Sequence, residues 1–144
     1  MKKLYGPWAF INGGSEGIGA EIGNTLAQNG INICMIARNA SALDIQQNHL
    51  QETYGVEVLS RVMDLARPQT VKEIIELTQD IEVGFYAHVA STSPLGPYLD
   101  TSLDRHRESL QINVNSASDL THHFALKCVQ GAVVGYCSAV PWHR

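Results

Sequence analysis

Trp8-Ala9-Phe10-Ile11-Asn12-Gly13-Gly14-Ser15-Glu16-Gly17-Ile18-Gly19 is the stretch on which the fold of this 144-residue chain turns. An apolar run leads into a glycine-rich turn, and the turn opens a helical segment from Ala20 to Gln28. Strand, glycine turn and helix in that order make a cradle for a dinucleotide. The glycines let the backbone reverse sharply and approach a pyrophosphate, while the unpaired N–H groups at the helix start face its charge. The spacing is G-x-x-x-G-x-G, a variant of the commoner G-x-G-x-x-G. Alone, such a turn serves equally as a plain connection between a strand and a helix.

Outward from this stretch, apolar runs and helix-period segments alternate to the end of the chain, the pattern of βαβ units and a parallel sheet. Residues 8–12 read as the first strand and 17–29 as the first helix, closed by Gly30. Residues 31–37 are almost wholly apolar, as a strand buried on both faces should be. Ser41 reads as the N-cap of a second helix with Asp44 in its first turn and Leu43, Leu50 and Tyr54 at helical spacing, ended by Gly55. A third strand spans 56–63. Pro68 suits the start of a third helix, whose Val71, Ile74, Ile75 and Thr78 share a face. A fourth strand spans 83–89, helices follow over 104–110 and 114–128 in near continuity, and a fifth strand spans 132–137. The connection rules of doubly wound folds order this sheet 3-2-1-4-5, with ligands beyond the carboxyl ends of the strands at the switch between strands 1 and 4.

Composition sets outer bounds. A chain of 144 residues, 44% hydrophobic, forms one domain over residues 1–144 and buries roughly two-thirds of its unfolded surface. The net charge of −4 and pI near 5.8, with no cluster of Lys or Arg, argue against nucleic acid or an anionic membrane as partner. The basic start Met1-Lys2-Lys3 breaks at Gly6-Pro7, so neither a signal peptide nor a membrane span is expected, and the cytoplasm is the expected compartment. Cys34, Cys128 and Cys137 lack C-x-x-C spacing and read as buried thiols. His122-His123 lies within a helix, where adjacent residues do not share a face, so no metal site is expected.

The motif with its flanks resembles the cofactor turn of the short-chain dehydrogenase/reductase family, T-G-x-x-x-G-x-G. Asn12 stands where that family has Thr, which keeps a short polar side chain. The resemblance runs in register through Ala37-Arg38, Asp64-Leu65, the turn at 88–91, Asn113 and Ser138, nearly the whole chain. It implies a Rossmann-type domain and a role for Gly13, Ser15, Glu16, Gly17, Ile18 and Gly19 in holding the cofactor. An NAD-binding fold places an acid after the second strand to meet the ribose hydroxyls. Arg38-Asn39 occupies that position here. A guanidinium pairs bidentately with a 2′-phosphate, so the resemblance implies NADP(H) in preference to NAD(H); the alternative is an exposed loop Arg. Asp64-Leu65 matches the family's acceptor of the adenine amino group, or Asp64 is an ordinary cap near Pro68.

Where the family has Asn-Asn-Ala-Gly after the fourth strand, this chain has His88-Val89-Ala90-Ser91. Ala90 and Ser91 fall where backbone lies along the cofactor, and His88 reads as a residue that braces the sheet. Asn113 resembles the helix Asn that holds a water for the family's proton relay, with an uninvolved helical Asn as the alternative. Ser138, at the end of Gly131-Ala-Val-Val-Gly-Tyr-Cys, resembles the active-site Ser that hydrogen-bonds a substrate carbonyl. The family's acid is the Tyr of Y-x-x-x-K. The residues four beyond Tyr5, Tyr54, Tyr86, Tyr98 and Tyr136 are Ala9, Val58, Ala90, Ser102 and Val140, and none is Lys. A free Tyr titrates near pH 10 and donates protons poorly at neutral pH.

The resemblance therefore implies an NADP(H)-dependent oxidoreductase of small carbonyl and alcohol substrates, truncated before its Tyr–Lys pair and inactive alone. The alternatives are a non-catalytic NADP(H)-binding regulatory module, a chain completed by another polypeptide, and a gene fragment or frameshifted product. The fifth strand leaves an apolar sheet edge without a partner, so self-association is expected.

Overall fold

A computed structural model describes residues 5–129 and 136–138, with backbone alone for 128–129 and 136–138. Five strands form one parallel sheet in the order β3-β2-β1-β4-β5: β1 (Trp8–Asn12), β2 (Asn32–Ala37), β3 (Val58–Val62), β4 (Val83–His88) and β5 (Tyr136–Ser138). The connecting helices are α1 (Gly17–Gln28), α2 (Ala40–Tyr54) and α3 (Gln69–Leu77). After a short 3₁₀ turn (Tyr98–Asp100), α4 (Leu103–Leu110) runs through a π-helical turn (Gln111–Asn115) into α5 (Ser116–Val129). The expected topology holds. Residues 132–135, the Cys128 and Cys137 thiols and the Ser138 side chain, on which the sequence sets expectations, lie outside the described residues.

Because successive strand residues point to opposite faces, the sheet separates two cores. On one side Ala9, Ile11, Ile33 and Met35 pack with Leu26 and Ala27 of α1 and Leu43 and Leu50 of α2. On the other, Phe10, Cys34 and Ile36 pack with Ile74 of α3 and with Leu120 and Phe124 of α5. Three rings anchor this second core: Phe10 lies 5.3 Å and Tyr86 5.0 Å from Phe124, centroid to centroid. Asn12 falls on the same face as Phe10, next in register to His88 of β4. A polar residue is thereby carried into the aromatic core, at the end of the strand where the glycine turn begins.

Strand β3 is shorter than the expected 56–63, and two helix starts differ from the sequence reading. Asn39, not Ser41, caps α2: its side chain accepts the Ala42 N–H at 3.2 Å, and an Asn in extended backbone competes well for that position. Pro68 stands just before α3 and not within it. The helix pair after β4 is continuous, and the π turn that joins its halves inserts one extra residue per turn that no 3.6-residue pattern reveals.

The glycine turn is held against the sheet. Gly13 and Gly14 donate to the Ile36 carbonyl at 2.9 and 3.3 Å. Gly13 has φ +76°, and a Cβ there would stand 2.7 Å from the Ala90 nitrogen; one at Gly19 would overlap the Gly13 carbonyl. We predict that Gly13→Ala destabilises the fold by at least about 2 kcal/mol, combining left-handed strain with a backbone clash. Ser15→Ala, in the same turn, should cost far less. Urea denaturation of the two variants measures the difference.

Candidate functional site: a cleft at the switch between β1 and β4

The carboxyl ends of β1, β2, β3 and β4 open onto a cleft of about 360 Å³. Its floor and walls are Gly13, Ser15 and Glu16 from the glycine turn, Ile36 to Asn39 after β2, Met63 to Leu65 after β3, Val89 to Ser91 after β4, and Ile112 from the π turn. Nine residues singled out in the sequence meet here: Gly13, Ser15, Glu16, Arg38, Asn39, Asp64, Leu65, Ala90 and Ser91. Gly17, Ile18, Gly19 and Asn113 are not among its walls. Gly19 is buried against the turn, Ile18 is exposed, and Gly17 begins α1 with no heavy atom within 4 Å of where its Cβ would be.

Several features suit an anionic ligand. Glu16 is the N-cap of α1 but its side chain makes no capping bond, and the first turn holds no acid, so no side chain occupies the N-terminal N–H groups. Arg38 is exposed on the rim, and among the described residues no carboxylate pairs with it. Asn39 has its side-chain oxygen on the Ala42 N–H, so it fixes the start of α2 at the cleft. The Asp64 carboxylate accepts the Ala66 N–H at 3.0 Å and its carbonyl accepts the Thr70 hydroxyl at 2.6 Å. Asp64 is therefore no cap of α3, whose N-cap is Pro68 without a side-chain bond; its carboxylate closes a loop turn on Ala66 while the residue lines the cleft. Burial raises the Cys34 thiol to about 12, which keeps it protonated and inert behind the floor.

Behind the walls runs a buried polar network that the sequence reading largely missed. Asn12, fully buried, accepts the Val89 N–H at 2.8 Å and the Ala90 N–H at 3.2 Å through Oδ1. Its Nδ2 lies 2.6 Å from His88 Nδ1 and 3.2 Å from the Tyr86 hydroxyl. His88 Nε2 reaches the Ile112 carbonyl at 3.1 Å, so His88 braces β4 against both β1 and the π turn. Burial holds its pKa below the usual histidine value, partly offset by the bond to Ile112. Asn113 clamps the loop after β4: Oδ1 accepts the Thr92 N–H at 3.0 Å, and Nδ2 donates to the Thr92 carbonyl at 2.7 Å and to the Ser109 hydroxyl at 3.2 Å. Its side chain is committed to positioning that loop. Ser138 pairs in register with His88 through the backbone of β5. Met63, Val89 and Ile112 were not foreseen as walls; Met63 and Val89 lie just past the ends of β3 and β4, where the doubly wound rule looks, whereas Ile112 comes from the π turn. Among the described residues no cluster of His, Cys, Asp or Glu is arranged to hold a metal, and no helix is long and apolar enough to cross a membrane.

The sequence profile described as short chain dehydrogenase matches residues 7–140. The chain belongs to the short-chain dehydrogenase family. Within it, the chain is 28% identical over 124 residues to a 7beta-hydroxysteroid dehydrogenase of Collinsella aerofaciens, covering 86% of this chain and 47% of that protein. It is 31% identical over 123 residues to the inactive hydroxysteroid dehydrogenase-like protein 1 of Rattus norvegicus, covering 83% of this chain and 37% of that one. A short-chain dehydrogenase from Sphingobium yanoikuyae, solved in complex with NADPH, superposes with a TM-score of 0.85 at 25% identity, over 92% of this chain and 52% of that one. The chain thus spans about half the length, or less, of the relatives it matches.

Asn12 is the residue whose loss the family turn should tolerate least. Asn12→Ala removes the acceptor of two N–H groups and the amide that faces His88 and Tyr86, which should cost about 2–4 kcal/mol. Asn12→Thr, which restores the family's hydroxyl, should recover part of this. Chemical denaturation of both variants checks the order.

Proposed function

We propose that this chain is the cofactor-binding portion of an NADP(H)-dependent short-chain oxidoreductase of small carbonyl and alcohol substrates, and that alone it binds the cofactor without turning over. The unpaired Arg38 on the cleft rim is the observation that carries the cofactor preference. With the adenosine end over Ala37–Asn39 and Met63–Leu65, the 2′-phosphate would meet the Arg38 guanidinium, and the pyrophosphate would meet the N–H groups at the start of α1. Leu65 and Ile112 would bracket the adenine, Asp64 would accept from its amino group, and the Ala90–Ser91 backbone would lie along the cofactor. A bound nicotinamide supplies hydride chemistry. The chain's own contribution is to bind, to orient and to exclude water.

NADPH should bind at least about tenfold more tightly than NADH, corresponding to a charge-assisted pair of about 1.5–3 kcal/mol. Arg38→Ala should abolish the preference while leaving NADH affinity nearly unchanged. Calorimetry with both nucleotides tests this, and equal affinities in the native chain would remove the basis for NADP(H).

The chain as given should give no measurable ketone, aldehyde or quinone reduction. None of its tyrosines has Lys four residues on; Tyr86 is buried at hydrogen-bond distance from His88, and Tyr98 stacks on His106. General acid catalysis is typically worth 10² to 10⁴ in rate, and positioning adds to that. An NADPH-oxidation assay over a broad substrate panel checks it, with Ser138→Ala as control: turnover that Ser138→Ala abolishes would expose a proton donor in this chain. A non-catalytic module is the second reading, favoured by the similarity to a relative that is itself named inactive. Stoichiometric NADP(H) binding that alters a partner without turnover would support it, whereas turnover on adding a second polypeptide would favour complementation of the missing Tyr–Lys pair.

A further inference from the structure

The two walls of the cleft are tied together by one titratable side chain. His88 is the last residue of β4, 3% exposed. Its Nε2 faces a carbonyl, that of Ile112 at 3.1 Å, which only accepts, so the proton belongs on Nε2. Its Nδ1 then carries the lone pair and faces Asn12 Nδ2 at 2.6 Å. The orientation of that amide is set independently, because Oδ1 is the atom that accepts from Val89 and Ala90. The two ends of this chain of bonds border the cleft: Val89 and Ala90 form one wall, and Ile112 belongs to the other.

Building on the reading of the cleft as a nucleotide site, we propose that His88 is a positioning residue whose neutral imidazole joins the two walls, and that protonating it parts them and weakens nucleotide binding. A second ring proton on Nδ1 would set two donors against each other across 2.6 Å. Relief requires a choice of losses. Turning the Asn12 amide surrenders the bonds to Val89 and Ala90, and withdrawing the imidazole surrenders the bond to Ile112. The Tyr86 hydroxyl, 2.9 Å from Nδ1, can take the new proton only while the Asn12 amide still faces a donor.

The groups that face His88 are the Asn12 amide from β1, the titratable Tyr86 phenol from its own strand, and the Ile112 carbonyl of the π turn, which also accepts the Ser116 hydroxyl of α5 at 2.7 Å. Among the described residues no Asp, Glu, Lys or Arg is one of them. Protonation would therefore place an uncompensated charge in the core, in keeping with a pKa held below the ordinary value by burial. The sign follows. A base with a lowered folded pKa is neutral throughout the range above about pH 6.5, so binding there is independent of His88. As pH falls through the folded value the proton competes with nucleotide, and by reciprocity bound nucleotide lowers the His88 pKa further.

The test is NADP⁺ affinity by calorimetry from about pH 8 down to about pH 5, in the native chain and in His88→Asn. Asparagine offers a donor and an acceptor without titrating and is the family's usual residue here. The native chain should lose severalfold more affinity across this range than the variant does; a 2′-phosphate titrating near pH 6 acts in both and cancels. NMR of the native chain gives a readout that does not depend on the variant folding: the His88 ring should be the Nε2–H tautomer, and its pKa should fall on adding NADP⁺. Equal pH slopes in the two proteins, or a His88 pKa unmoved by NADP⁺, would overturn the proposal while leaving the cofactor reading intact. Absence of NADP⁺ binding at every pH would overturn both.

Discussion

A buried amide has to be satisfied, and the geometry of this domain depends on how Asn12 is. The side chain sits at 0% exposure on the aromatic face of the sheet, where an unpaired amide would cost several kcal/mol. It can be satisfied only if the backbone after β4 turns toward it to present Val89 and Ala90, and only if His88 and Tyr86 bring an acceptor and a hydroxyl to its other end. Those requirements fix the spacing between β1 and β4 at their carboxyl ends. The cleft opens just beyond it.

The same network explains why the glycine turn tolerates no side chain at Gly13. Asn12 draws the Ala90 nitrogen in, and Gly13 lies directly beside it. The close approach of the two connections lets the N-terminus of α1 point into open space and not into protein. Helix α1 itself contains Gly17, Gly19 and Gly23 in twelve residues, a composition that weakens an isolated helix by about 1 kcal/mol per glycine. Its stability comes instead from Leu26 and Ala27 packed on the sheet and from Gln46 of α2, which donates to the Ala20 carbonyl and to Asn24. The sequence accepts a poor helix to obtain an anion-receptive end.

On the far side, the π turn does comparable service. By breaking the regular ladder between α4 and α5 it frees the Ile112 carbonyl for His88 and turns the Asn113 side chain onto Thr92. Polar side chains from two elements thus grip the loop after β4 on both sides, from Asn12 behind and from Asn113 beyond. Family membership accounts for the scaffold these residues share with their relatives. His88 puts a titratable group at the junction.

The parallel sheet, its strand order and the glycine turn follow from local patterns in the sequence: apolar strands buried on both faces, helical periods between them, and the rule that ligands collect beyond strand ends; most of the cleft walls were legible through the resemblance to the family's cofactor motif. Arg38 was legible for the same reason, as a charged residue at a fixed offset from a glycine turn. What only the tertiary structure decided are the pairings across the sheet. That Asn12 meets His88, 76 residues on, is set by the register of β1 on β4, and that Asn113 turns onto a loop 21 residues earlier is set by a π turn that has no sequence period. Asn39 took the cap from Ser41 because its backbone is extended where α2 begins and its side chain reaches the Ala42 N–H. Local chemistry writes elements and turns, whereas hydrogen bonds between distant strands depend on a register that exists only once the core has packed.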